Sequence, residues 1–194
     1  MLARCLSASL QGLEARPVVE VDLAPGLPGV QLVGLPDKAI QESRERVRTA
    51  LTNSGFRGPL VRVVINLAPA DMRKEGLSFD LPIALALLVA SGQLACPQLE
   101  GLWCAGELDL DGSLRPCRGV IALAEKAHQQ KGRALVVPPE NAHEASLIEG
   151  LAIRRPTWAL WFSTSKENNP GPESAAALRK SGAIETTALT SGNS

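Results

Sequence analysis

Between Val18 and Ala24 the chain reads VVEVDLA, apolar and polar residues in turn, the two-residue period of a strand with one covered face. Residues 2–10 alternate less cleanly and predict a strand before it. The stretch GLPGVQLVGLP, punctuated by Gly and Pro, frames a short strand around Val30–Val33. The period then lengthens. Ile40, Val47 and Leu51 share one face of a helix that opens at Pro36 and Asp37 and stops at Gly55. Proline suits the first helical position and an acidic residue the first turn. LVRVVINLAP (Leu60–Pro69) predicts a central strand, and an apolar helix follows over Leu81–Ser91, stopped by Gly92. With Asp80 as N-cap, Pro82 takes the second helical position, where its missing N–H costs nothing. LWCAGELDLDGSLRP predicts two short strands around Asp111 and Gly112, a tight-hairpin dipeptide. Val120–Lys131 predicts a helix ending at Gly132, RALVVP a strand, and ENAHEASLIEG a short helix. Strands and helices intermix, so the fold class is α/β or α+β with a mixed sheet.

Composition narrows this picture. With 194 residues the chain holds one domain of ordinary size plus a tail. It has no Tyr, three Phe and three Trp, so the core must be aliphatic. After about Arg155 the character changes: 18 of the 32 residues from Ser163 to Ser194 are Ser, Thr, Asn, Gly or Pro. That stretch cannot bury enough surface to offset chain entropy. We therefore divide the chain into a domain over 1–155 and a tail over 156–194 expected to be disordered. Trp158, Trp161 and Phe162 lie just past the domain, as a cover for its edge or a docking group.

Twenty basic residues balance twenty acidic ones, so overall charge gives no argument for a nucleic-acid or membrane partner. The longest apolar run, Leu81–Ala90, is about half of a bilayer span. Arg4, Ser7, Ser9 and Gln11 interrupt the N-terminal segment, so a signal peptide is not expected and the reading is cytoplasmic. Cys5, Cys96, Cys104 and Cys117 never approach C-x-x-C spacing and lie far from His128 and His143, so no metal site is expected. Buried free thiols in a reducing compartment fit better. His128, in the last turn of its helix, reads as a favourable terminal charge.

Three blocks in order, GLPGVQLVGLPDKAIQESRERVRTAL, NLAPADMRKEGLSFDLPIALALLVASG and GELDLDGSLRPCRGV, resemble the N-terminal domain of the ComM/YifB family of magnesium-chelatase-like AAA+ ATPases. The resemblance runs from the first residues to about Arg155. It implies a fold of the ribosomal protein S5 domain 2 type, shared with the Lon proteolytic domain. It also implies a following AAA+ motor that binds ATP and Mg. The partners it implies are DNA, the motor and other family subunits, in hexameric helicases that drive DNA branch migration in natural transformation. A P-loop needs a Gly-Lys pair, and none occurs here. The expectation is a chain without its motor, with no cofactor of its own, that does not hydrolyse ATP.

Lon-like peptidases place a serine nucleophile in Gly-Pro-Ser-Ala-Gly ahead of an apolar helix, and Ser78 matches it within Gly76-Leu77-Ser78-Phe79-Asp80. The family's lysine base follows a Gly-Glu-x-x-Leu-x-Gly lead-in, matched by Gly106, Glu107, Leu110 and Gly112. The lysine position falls on Ile121, which cannot accept a proton, whereas a serine needs an adjacent base. Lys126 lies five residues on and far round the helix, and Lys74 is expected to be solvated in a loop. The leading expectation is therefore a non-catalytic accessory domain with Ser78 as a relic. A Ser78 peptidase and a stand-alone DNA-binding module are the alternatives. The DNA reading rests on three more basic than acidic residues between Asp37 and Glu75, with Arg44, Arg48, Arg73 and Lys74 as the phosphate contacts. Against it stands a solvated helix surface with pairs such as Glu42–Arg46. The glycines of GLPGVQLVGLP read as turns and close backbone approaches, since no G-x-G-x-x-G occurs there.

Overall fold

The structure, a computed structural model, describes residues 2–8, 18–58, 60–69, 74, 78–94 and 99–154. Arg73, the tail from 155 onward with Trp158, Trp161 and Phe162, and Cys96 lie outside the described residues.

In chain order the elements are β1 (Leu2–Leu6), β2 (Val18–Ala24), β3 (Gly29–Val33), α1 (Lys38–Asn53), β4 (Arg62–Ala68) and α2 (Asp80–Ala90). Then come β5 (Leu102–Cys104), β6 (Glu107–Leu108), β7 (Leu114–Arg115), α3 (Val120–Gln129), β8 (Ala134–Val136), α4 (Ala142–Ala145) and β9 (Ile153–Arg154). A 3-10 turn, Pro139–Asn141, leads into α4. Seven strands form one sheet in the order β3-β4-β2-β1-β5-β8-β9, and β6 and β7 form a separate hairpin. The β1/β2 and β2/β4 pairs are antiparallel; the β3/β4, β1/β5, β5/β8 and β8/β9 pairs are parallel. The mixed α/β class read from the pattern is the class observed.

The two halves of the sheet are covered differently. In β4, Val63, Ile65 and Leu67 are buried while Arg62 is exposed and Val64 and Asn66 are half-buried, the alternation of a sheet with one open face. The buried side meets α1 and α2, and every residue of α2 is buried. At roughly 1.5–3 kcal/mol for each fully buried Leu, Ile or Val, α2 is the largest single contributor to the core. In β5 and β8 both faces are covered. Leu102, Cys104, Ala134 and Val136 join the α1/α2 core, while Trp103 and Leu135 join a second cluster with Val120, Leu123, Ala124 and Ala127 of α3. That is why these strands read as unbroken apolar runs.

On the open face polar groups line up across the strands. Arg4 stands opposite Glu20, and Glu20 opposite Asn66. Arg4 Nε donates to Glu20 at 2.8 Å and Asn66 Nδ2 at 2.9 Å. The Asn66 bond, with the Arg4 charge behind it, holds the Glu20 carboxyl below its ordinary range.

Three details differ from the sequence expectation. Asp37 is the N-cap of α1, its carboxylate accepting from Ile40 N–H at 2.8 Å, and Pro36 stays outside the helix. The capping carboxylate fixes the start, because it satisfies a donor that would otherwise be orphaned. Phe79, not Asp80, precedes α2, so Asp80 is the first helical residue and Pro82 the third. The short β9, which pairs Ile153 with Leu135, carried too little pattern to be expected.

The glycine-rich stretch is structural at one demanding point. Gly34 has φ 97°, and a Cβ there would lie 2.1 Å from the Leu67 carbonyl oxygen. Only a residue without a side chain lets the end of β3 pass so close to β4.

Candidate functional site

Ser78 lies half-buried in the turn that enters α2. Its carbonyl accepts from Gly106 N–H at 3.0 Å, and the Gly106 carbonyl accepts from Leu81 N–H at 3.0 Å. The segment ahead of α2 and the one leading into β6 are thus clasped through backbone alone. A Cβ at Gly106 would meet Leu114 Cδ2 at 2.9 Å, so a side chain there would require the Leu114 tip to shift.

Two residues on, Asp80 is fully buried and carries most of the site's electrostatics. Its carboxylate accepts from Ser43 Oγ, from Arg46 Nε at 3.0 Å and Nη2 at 3.2 Å, and from Leu108 N–H at 3.2 Å. Arg46 Nη2 also donates to Ser43 Oγ at 3.0 Å and to the Ala39 carbonyl at 3.3 Å. One carboxylate therefore ties α1, α2 and β6 together. The bond to Asp80 raises the already high pKa of Arg46, so this guanidinium stays charged throughout. The surface pair Glu42–Arg46 expected from spacing is replaced by this inward one.

The sequence pattern placed Arg46 in a surface pair and Asp80 at a helix cap, and gave Ser43 no role. One signal was present: Ser43 occupies the apolar stripe of α1 with Ile40, Val47 and Ala50, and a polar residue in such a stripe needs a buried partner.

Ile121, at the lysine position of the Lon-like pattern, sits in the first turn of α3 with 41% of its surface exposed. Its N–H donates to Glu144 Oε1 at 3.3 Å, and Asn141 Nδ2 donates to Glu144 Oε2 at 3.2 Å. Asn141 also holds both backbone groups of Cys117, each at 2.9 Å. So α4 supplies the carboxylate that caps α3. Lys126 lies in the last turn of α3.

Lys74 corrects an expectation. It is fully buried rather than solvated; its Nζ donates to the Pro69 carbonyl, its N–H to Leu35 and its carbonyl accepts from Asp37 N–H. An ammonium covered in this way is not placed to meet phosphate, so Lys74 leaves the set of DNA contacts. Arg44 and Arg48 are both exposed on α1, and Arg44 Nη1 reaches to 3.5 Å from the Val30 carbonyl.

Cys5 and Cys104 bring their sulfurs to 3.1 Å in the core, both as free thiols. Leu6 stands opposite Trp103, so the two cysteines are diagonal neighbours. Burial raises the Cys104 thiol well above its ordinary range. Burial, with the charges of Glu144 and Glu107, pushes Cys117 up to about 11. Among the described residues no three His, Cys, Asp or Glu side chains are grouped to hold a metal, and no helix is long and apolar enough to cross a membrane.

The mixed sheet, the apolar α2 behind a serine turn and the hairpin clasped to it define a class, a mixed α/β domain. Comparison with known proteins gives the family. The model of subunit ChlI of Mg-chelatase matches residues 19–141. An uncharacterized protein of Mycobacterium tuberculosis is 44% identical over 154 residues, 79% of this chain and 31% of the relative. YifB of Escherichia coli is 47% identical over 140 residues (72% and 28%), and the competence protein ComM of Haemophilus influenzae 47% over 148 (76% and 29%). The chain belongs to the magnesium-chelatase-like ComM/YifB family. It spans less than a third of the length of these relatives.

Proposed function

We propose that these residues form a non-catalytic accessory domain of a magnesium-chelatase-like AAA+ ATPase, a binding or assembly module for its motor in the cytoplasm. The observation that carries this reading is Ile121. Where a Lon-type peptidase needs a proton acceptor, this chain offers an aliphatic side chain, and a serine without a base is a poor nucleophile. On this reading the whole protein is an ATP-driven DNA branch-migration helicase of natural transformation, and ATP, Mg and the hexamer belong to the motor. The word competence in the name of the Haemophilus relative supports that role.

The test is cleavage of casein and of fluorogenic peptides by this chain and by Ser78→Ala. The expected result is no turnover by either. Cleavage that disappears in Ser78→Ala overturns the reading and makes the domain a serine peptidase. The exposure of Arg44 and Arg48 favours a second reading, a DNA-binding module. It predicts salt-dependent binding of a labelled oligonucleotide that the Arg44→Ala/Arg48→Ala variant loses; absent or salt-insensitive binding excludes it.

A further inference from the structure

Strand β3 closes one end of the seven-stranded sheet and pairs only with β4 among the described strands. Lys74, the one described residue of 70–77, bridges Pro36, past the end of β3. Among the described residues, no strand pairs with the outer side of Gly29–Val33. Natural sheets usually blunt such edges with charge, proline or a covering element.

Two kinds of side chain gather around this edge. At one end Leu27 is 90% and Leu60 85% exposed, and at the other Leu35 is 55% exposed. Arginines flank the strand from both faces. Arg44 comes from α1, on the helical side, and reaches the Val30 carbonyl. Arg62 lies on the opposite side of β4 from buried Val63, and its Nη2 donates to Gln31 Oε1 at 3.0 Å.

The geometry points to this edge as a docking site for an extended acidic segment of another protein, added to β3 as an eighth strand. Backbone hydrogen bonds supply the attachment, as in other cases of strand addition. Successive side chains of an added strand point to opposite faces. Two adjacent carboxylates therefore meet Arg44 on one face and Arg62 on the other, and apolar residues at the segment's ends cover Leu27, Leu60 and Leu35. A second copy of this chain fits worse, because pairing β3 with its twin brings Arg44 and Arg62 of both copies to one seam, where like charges repel. Single-stranded nucleic acid fits worse too, since no aromatic ring is present on β3 or β4 to stack a base. This inference goes beyond the accessory role proposed above and does not depend on it.

The test uses the whole chain and a fluorescein-labelled peptide, LTVEEVTL, with LTVQQVTL and a backbone N-methylated LTVEEVTL as controls, followed by anisotropy. The acidic peptide is expected to bind about tenfold more tightly than the glutamine peptide, with a margin that shrinks as salt rises. The N-methylated peptide is expected not to bind. Arg44→Glu and Arg62→Glu, with circular dichroism unchanged, each remove the margin. Equal binding of the acidic and glutamine peptides overturns the proposal, as does no binding at millimolar peptide, binding of the N-methylated form, or a margin that survives both charge reversals. A dimer in sedimentation that dissociates when β3 is blocked, or an oligonucleotide that binds where the peptide does not, also overturns it.

Discussion

Removing the Asp80 carboxylate is the sharpest test of how this domain is held together. Asp80→Ala leaves the Arg46 guanidinium, the Ser43 hydroxyl and the Leu108 N–H without their shared acceptor. Breaking a buried ion pair by deleting one partner costs roughly 3–5 kcal/mol, because the survivor stays desolvated and unpaired. The Arg46 side chain is 21% exposed, so water partly compensates and the lower end applies. An unsatisfied buried N–H at Leu108 adds about 1–3 kcal/mol. The expected loss is about 4 kcal/mol, a fall in Tm of about 8–16 °C for a domain of this size. Asp80→Asn keeps the shape and one acceptor oxygen and should lose about half as much. Replacing both partners, Asp80→Leu with Arg46→Met, should return most of the loss, since an apolar pair leaves no stranded charge. Urea unfolding of the wild type, the two single variants Asp80→Leu and Arg46→Met, and this double variant closes the cycle. A loss below about 1 kcal/mol for Asp80→Ala, or a coupling energy indistinguishable from zero, refutes the argument.

Gly34→Ala should be among the most damaging single-methyl changes, costing about 3 kcal/mol or more, because its Cβ meets the Leu67 carbonyl at 2.1 Å and its φ is positive; thermal unfolding measures it. Asp37→Ala should cost about 1 kcal/mol by removing the cap on Ile40, and Asp37→Ser should recover most of it in the same assay. Cys117, with its folded pKa near 11 and a lower unfolded value, stays protonated in the fold at a pH where the unfolded chain has released that proton. Its contribution is complete below the unfolded pKa and is lost as pH rises from about 9 to about 11, a loss of stability that Cys117→Ser should lack. Iodoacetamide should alkylate Cys117 in the folded chain at pH 8 roughly a hundredfold more slowly than in urea.

The elements with a strong period were legible in the sequence. The alternation of VVEVDLA became β2, and the apolar run before Gly92 became α2. Boundaries that rest on one side chain were not. Asp37 moved the start of α1 past Pro36, and Asp80 proved to be a first-turn residue turned sideways. The reason is common to both. A carboxylate at a helix start can cap its own helix or serve a neighbouring one, and local sequence cannot distinguish them. Lys74 shows the same limit, since a lysine between an arginine and a glutamate carries no local sign of burial. The family was legible because it lies in three long blocks. Their physical connection, through Ser43 and Arg46 of the first, Asp80 of the second and Leu108 of the third, appeared only in three dimensions.

The place of β1 in the sheet has a consequence for how the chain is made. Its two neighbours are β2, which follows closely, and β5, whose Trp103 stands opposite Leu6 from 97 residues further along. At a synthesis rate of roughly 5–20 residues per second, β1 and its hairpin wait about 5–20 s for that second neighbour to be translated. Throughout this interval the nascent sheet has an unfinished seam where β5 will lie, with Cys5 and the inner face of β1 uncovered on that side. The helix α2 is translated before β5 and packs against β1 and β2. It is the first element able to shield that seam, so a nascent chain that has emerged from the ribosome through Ala90 but not yet through Leu102 would display a half-domain with its core roofed but its centre open.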